Sequence, residues 1–360
     1  MAEKRLTKEI AEQSPNSLDW DEFTELDDAA AAIICGYVAD IRLSGLTTLS
    51  DAAAEILGSY EGDLYLAGLT SLSDAAAESL GRHKGSGLNL SGLASLSDAV
   101  AEGLSKHAGW LQLDGLTSLS DAVAESLSKH QGDCLFLNGL TRLSDAAAAS
   151  LGNYEGGGLS LFGLTSLSDV AAASLGKHAG WLDLSGLTSL SDTAAESFSK
   201  CEANLDLNSL TTLSDAAAES LSKCGGNLEL NWLTSLPDAA AESLSKHKGS
   251  LSLGLLTSLS DAAAESLSKH KGSLSFECLD SLSDAAAESF SKHASVLDLV
   301  NLSSLSRAAA ESLSRHKGDL AVSLSNFSES VADILRQHPR LQDYGYDDGD
   351  DDEDWDEDDE

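Results

Sequence analysis

Apolar positions along the chain follow two rhythms in turn. A triplet L-x-L with period two is followed by a pair of leucines three residues apart, then by an alanine-rich stretch with helical spacing. Leu251 to Ser273, LSLGLLTSLSDAAAESLSKHKGS, is a clear copy of this unit. Counted from the first residue of the triplet, units begin at Leu18, Ile41 and Leu64 and then every 23 or 24 residues to Leu320, fourteen in all. A unit this short cannot close a core alone, so neighbours must cover one another's open faces, as in a solenoid.

Within the unit, L-x-L predicts a strand of about three residues whose middle residue faces out. The turn G-L-T-S-L follows and predicts two inward leucines, such as Leu46 and Leu49 or Leu256 and Leu259. S-D-A-A-A-E-S-L-S-K-H-x-G then reads as a helix. Pro237 stands where other units have Ser, just before Asp238, and Pro has no side-chain acceptor, so the Asp is the expected N-cap. Asp fills that position in twelve units; Arg307 and Glu329 replace it in the last two. Gly62, Gly85, Gly109 and Gly272 are expected to end their helices in the left-handed conformation. Glu78 with Arg82, and Glu265 with Lys269, are i,i+4 pairs, each contributing about 0.2–0.5 kcal/mol. Small residues at Ala262 to Ala264 let the helix lie close to the sheet, and Leu267 fills the gap between them.

The run L-x-L-x-x-L-x-x-L, the helical return and the 23-residue period resemble the leucine-rich-repeat family in its short bacterial-type form, from about Leu18 to Leu335. The resemblance implies an α/β solenoid of about fourteen units, with short parallel strands on a concave face and short helices on a convex one. It also implies binding of a protein partner rather than chemistry. One feature departs from that family's pattern. Where the family carries an Asn or Cys ladder this chain has Phe23, Leu46, Leu187 and Leu256, so the following Thr and Ser are expected to make the corner hydrogen bonds instead.

The organisation that follows is an N-terminal cap over 1–16, a solenoid over 17–341 and a disordered acidic tail over 342–360. Leu6 and Ile10 are expected on one face of a short cap helix ended by Pro15, and Trp20 and Phe23 replace leucines in a terminal unit. Net charge is −37, and the stretch from Asp343 to Glu360 holds 13 acids and no base, leaving 46 acids against 22 bases, or −24, in the rest. Such a balance disfavours nucleic acid and anionic membrane surfaces and favours basic proteins. The N-terminus has no apolar run of signal-peptide length, and no stretch reaches the 18–20 apolar residues of a membrane span, so a cytoplasmic monomer is the expectation. Five cysteines do not make a disulfide framework.

All nine histidines, His83 to His338, fall in one column near the helix end, with Tyr37, Tyr60, Tyr154, Cys201 and Cys224 filling the remaining units. Tyr substitutes for His there, so the column reads as packing rather than as a metal site, and no cofactor is expected. Motifs of metalloproteases, nucleotide-binding loops and serine hydrolases are missing, and every candidate nucleophile belongs to a repeated column, so no enzyme is expected. The middle units vary most around L-x-L. Trp110, Asp114, Phe136, Phe162, Trp181, Asp183, Asp206 and Glu229 are therefore the candidate partner-binding residues, because aromatics concentrate at binding hot spots. They are expected to be exposed on the concave face. Units after Leu251, with Ser252, Gly254 and Ser275, read as spacer, and Val296 with Val300 as a weaker apolar patch. The alternative is electrostatic, with the acidic body and tail shielding a basic protein.

Overall fold

The computed structural model describes residues 4–13, 20–36 and 40–344. The unit start at Leu18, the stop at Pro15, Tyr37 of the ring column, and the acidic run from residue 345 lie outside the described residues. Among the described residues, fourteen strands, from Ile41–Arg42 to Leu341–Asp343, form one parallel sheet in strict sequence order. The register pairs first leucine with first leucine, Leu111 with Leu135 and Leu205 with Leu228, so each unit stacks on the last without slippage. Returning helices of mostly seven residues, such as Asp261–Leu267, form the opposite layer. Between the layers lie the triplet leucines and the helix Ala and Leu; in the unit beginning at Leu111 these are Leu111, Leu113, Leu116, Ala124 and Leu127, all buried. The second turn leucine, for example Leu49 or Leu259, is only half-buried against this core. Among the described residues no helix is long and apolar enough to cross a membrane.

The helix start differs from the expectation. Ser, not Asp, is the N-cap: Ser260 accepts from Ala263 N, and ten other units, from Ser50 to Ser306, do the same. Asp is the first helical residue, and in most units its carboxylate accepts from the cap hydroxyl of the next unit, as Asp121 does from Ser144 at 2.5 Å. Pro237 therefore marks a helix lacking a side-chain cap rather than revealing Asp as the capping residue.

The glycine after each helix also has a different cause. None of Gly85, Gly109 and Gly272 takes a left-handed backbone, and the helices end several residues earlier, at Leu80, Leu104 and Leu267. A Cβ at Gly109 would meet Ser86 O at 2.0 Å, so stacking against the preceding unit excludes a side chain.

At the N-terminal end, Arg5–Leu6 pairs in parallel with Glu25–Leu26 in a separate two-stranded sheet, followed by the helix Lys8–Gln13. Leu6 thus lies in a strand rather than on the helix. It and Ala11 are fully buried, whereas Ile10 is half-buried. Trp20 and Phe23 are buried in place of leucines. At the other end, Leu341–Asp343 pairs with Leu320–Val322 and adds a strand beyond the last predicted unit. Asp343 accepts from Leu324 N at 3.0 Å, so Gln342 and Asp343, assigned to the tail from sequence, belong to the sheet.

Candidate functional site

The sheet presents one row of side chains per strand. From Leu64–Tyr65 to Leu320–Val322 the strands carry no Lys or Arg, while Asp183, Asp206, Glu229 and Asp298 stand on them. The bases concentrate on the helix side: Lys129, Lys223, Lys246, Lys269 and Lys292 each pair with a Glu one helical turn earlier, at 3.0–3.5 Å. The bases are therefore confined to the helix side, where acids accompany them, and these strands carry acids alone.

The aromatic candidates are less exposed than their sequence context implies. Trp110, Phe136 and Trp181 are half-buried, and Phe162 alone among the four is largely exposed, at 55%. For the two tryptophans glycines cause this. A Cβ on Gly87 would meet the Trp110 ring at 1.9 Å, so the indole lies back across the preceding strand, where its ring centroid is 5.9 Å from that of Tyr65. Arg42 in turn sits 4.4 Å over Tyr65. Trp181 lies across Gly158 in the same way, with its Cε3 2.9 Å from where a Cβ would stand. Trp110 and Trp181 form flat ledges rather than projecting knobs. Trp232, which stands where many units have Gly, is exposed at 53% and is followed one unit later by exposed Leu255.

The carboxylates divide by their bonding. Asp183, expected in solvent, is buried: it accepts from Ser160 Oγ at 2.7 Å and from Ser185 N at 2.9 Å. Asp114 is half-buried and accepts from Asn138 N at 2.9 Å and from Gln112 Nε2 at 2.5 Å. Asn138 continues this line to Phe162 N, and Asn208 and Asn231 repeat it to Asn231 N and Gly254 N. An Asp/Asn ladder thus exists one residue after the triplet. The expected threonine bonds occur as well, as in Thr47 Oγ1 to Thr24 O at 3.1 Å. Asp206 is half-buried; burial, and then the charges of Asp183 and Glu229, push its carboxyl up to about 6, although Asn208 N–H bonds oppose the shift. Glu229 is exposed and accepts from Asn208 Nδ2 at 3.2 Å.

The units read as spacer hold a recess that the sequence reading missed. A groove of about 200 Å³ runs across Ser250, Ser252, Ser273 and Ser275, with Glu229 at one end and Val296 and Asp298 at the other. The signal was the run of small residues itself, since short side chains between longer ones leave a trough.

Behind the sheet, the ring column is continuous in two stacks. Tyr60, His83, His107, His130, Tyr154 and His178 follow at centroid spacings of 5.5–6.3 Å, and His247, His270, His293, His316 and His338 at 5.7–6.4 Å. All nine histidines are buried, and several reach carbonyls of the preceding unit, as His130 does to Gly109 O at 3.0 Å. Burial, and then the neighbouring imidazole, push His83, His130 and His293 down to about 4. Parallel stacked imidazoles aim their lone pairs side by side, not toward one ion. Among the described residues no three His, Cys, Asp or Glu side chains converge to hold a metal.

No protein-family model and no curated protein sequence matches the chain. Solved structures do. The leucine-rich-repeat protein LIC12759 of Leptospira interrogans superposes with a TM-score of 0.50 at 18% identity, over 88% of this chain and 81% of that one. An internalin, InlF, from Listeria monocytogenes gives a TM-score of 0.49 at 14% identity, over 86% of this chain and 88% of that one. Identity this low speaks for architecture alone, and with fourteen in-register parallel strands backed by helices, the chain has the fold of a leucine-rich-repeat solenoid.

Proposed function

We propose that the chain is a non-catalytic interaction scaffold that binds a protein partner on its concave, sheet-bearing face as a monomer. The observation that carries this reading is the confinement of the bases: acids are the charged residues of the middle strands, around the Trp110 and Trp181 ledges and the serine-lined groove, while lysines keep to the helix side beside the helix acids. A cationic segment meets no opposing lysine on these strands, whereas on the helix side lysines accompany the acids, and flat aromatic ledges supply apolar contact at little entropic cost. Catalysis finds no support, since the polar groups of the face are engaged in ladders between units.

The test is titration of a Lys/Arg-rich peptide and of its Glu-substituted counterpart into the full chain at low and high salt. Binding of the basic peptide alone, weakened about tenfold or more by Glu229→Lys with Asp298→Lys and severalfold by Phe162→Ala, supports the reading. Equal binding by the wild type and these variants sinks it.

The same charge pattern favours a second reading, in which acidity as a whole, the residue 345–360 segment included, shields a basic protein. Truncation after Tyr344, which keeps the Asp343 bond to Leu324, separates the two. Loss of peptide binding on truncation moves the function to the tail, and retained binding leaves it on the sheet face.

A further inference from the structure

The ring column is interrupted at two consecutive units, where Cys201 and Cys224 take the place of His or Tyr. These units are in register, Leu205 pairing with Leu228 four residues after each cysteine. Neighbouring strands lie about 4.8 Å apart, inside the roughly 4.4–6.8 Å between Cα atoms that a disulfide spans. The two thiols share one environment: Cys224 Sγ stands 3.2 Å from Cys201 O, and Cys201 Sγ stands 4.0 Å from His178 O. Both side chains are buried and free, whereas Cys35, Cys134 and Cys278 are half-buried and belong to other columns.

An approach path exists on one side. A groove of about 550 Å³ between the helix ends reaches Cys224 and is flanked by Lys223, Lys246 and Lys248 against Glu202 and Glu219. Lys223 is paired with Glu219 and Lys246 with Glu242, so Lys248, with no ion pair among the described residues, is the ammonium left at the groove to meet an anionic reagent. Cys224 is also the better nucleophile of the pair. Its contact with the Cys201 thiol, and then the Gly225 and Gly226 N–H groups, hold the Cys224 thiol below its usual range against the effect of burial, while Cys201 is pushed up by the same contact and by burial.

We propose that Cys201 and Cys224 form a dithiol site that reduces a small anionic disulfide of the glutathione type and closes into a disulfide joining two adjacent units. Cys224 thiolate attacks one sulfur of the reagent R–S–S–R, forming a mixed disulfide and releasing one R–S⁻. Cys201 passes its proton to that released thiolate. The Cys201 thiolate then attacks Cys224 Sγ, breaking the mixed disulfide and releasing the second R–S⁻. Two protein thiols are oxidised to one disulfide, and one reagent disulfide is reduced to two thiols. The product replaces a ring-to-ring contact with a covalent rung where the column has none.

Trypsin cuts after Lys200, Lys223 and Lys246, which places the two cysteines on different peptides. Full-length protein is incubated with oxidised glutathione, blocked with iodoacetamide under denaturing conditions, and digested without reduction. The expected result is one linked peptide pair, lighter than its parts by two hydrogen atoms, and a fall from five free thiols to three. Cys201→Ser, checked for folding by circular dichroism, is expected to leave Cys224 carrying one glutathione, and Cys134→Ser to leave the link unchanged. If both thiols remain open to alkylation in the wild type, or if the glutathione adduct persists on Cys224 there without closing, the proposal is overturned.

Discussion

The hydroxyl of Ser191 donates to Asp169, first helical residue of the preceding unit, at 2.5 Å, and accepts from Ala194 N at 3.0 Å. One side chain thereby caps its own helix and ties it to the helix before. The same double bond runs through Ser144, Ser168, Ser214, Ser260 and Ser283, so the helix layer is laced as well as packed.

Pro237 breaks this lacing. Its helix has no side-chain cap, and Asp215 of the preceding unit has no hydroxyl facing it. Pro237→Ser supplies the cap and the tie together, and a cap alone is worth about 1 kcal/mol. The variant is expected to unfold at higher urea with an unchanged denaturant slope. Ser260→Ala, which removes both bonds, is expected to lose about 1–2 kcal/mol. A Pro237→Ser variant no more stable than wild type would show that the proline's own rigidity outweighs the two bonds.

The ring column makes stability depend on pH. His83, His130 and His293 sit at about 4 when folded against an unfolded value near 6.5, so between these limits the unfolded chain binds more protons. Stability is then full above about pH 6.5 and falls as the pH drops toward 4, by roughly 2–3 kcal/mol for each of these three if its neutral form persists. Urea midpoints measured between about pH 7.5 and 4.5 are expected to decline steeply. His130→Tyr, imitating Tyr154 whose buried hydroxyl donates to Gly132 O at 2.7 Å, removes one titrating ring and should flatten the decline. A pH-independent midpoint would contradict the neutral, buried assignment of these rings.

What could be read from sequence was what a single unit contains. L-x-L, the inward Leu46 and the Ala–Leu face of the helix depend on contacts that recur in every copy, and they stand as expected. What was misread depends on the unit next door. Trp110 is half-buried because Gly87, 23 residues earlier, leaves room for its ring, and the glycine after the helix answers a carbonyl of the preceding unit rather than its own backbone. Ser and Asp are both good caps and stand side by side; the helix N–H goes to Ser, as from Ala194 N to Ser191, while in most units Asp is engaged by the next unit's hydroxyl, which one unit alone does not reveal. Of the candidate face, the residue types were legible; that Asp183 is buried and Glu229 exposed was not, because it turns on which neighbour offers a hydroxyl.

Two glycines separate stacking from conformation. A Cβ at Gly132 would meet Gly109 O at 1.8 Å, whereas one at Gly157 would find Asp133 O at 3.2 Å. Neither backbone is left-handed, so any difference between the two alanine variants comes from contact. Gly132→Ala is expected to cost more than about 2 kcal/mol, and Gly157→Ala less than about 1. Thermal unfolding of both decides it, and equal losses would refute the stacking account.

Asp206 connects stability to the binding face. Burial, and then Asp183 and Glu229, raise its carboxyl to about 6, so between the unfolded value of 3.8 and 6 the folded chain binds the extra proton. At pH 7 the ionised group therefore costs stability, and that cost disappears as the pH falls through 6 toward 3.8. Asp206→Asn keeps an oxygen for the Asn208 N–H bond, 3.0 Å in the wild type, and removes the charge. The variant is expected to be more stable at pH 7 by about 1 kcal/mol, a figure discounted for solvent screening of a half-exposed group, and to match the wild type near pH 4. On the proposed function it should also bind the basic peptide more weakly at pH 7, because the removed charge faces the partner. A variant that gains stability and binds as well as wild type would place the cationic contact elsewhere on the sheet, whereas one that gains stability and loses affinity would mark Asp206 as a residue held at a cost for binding.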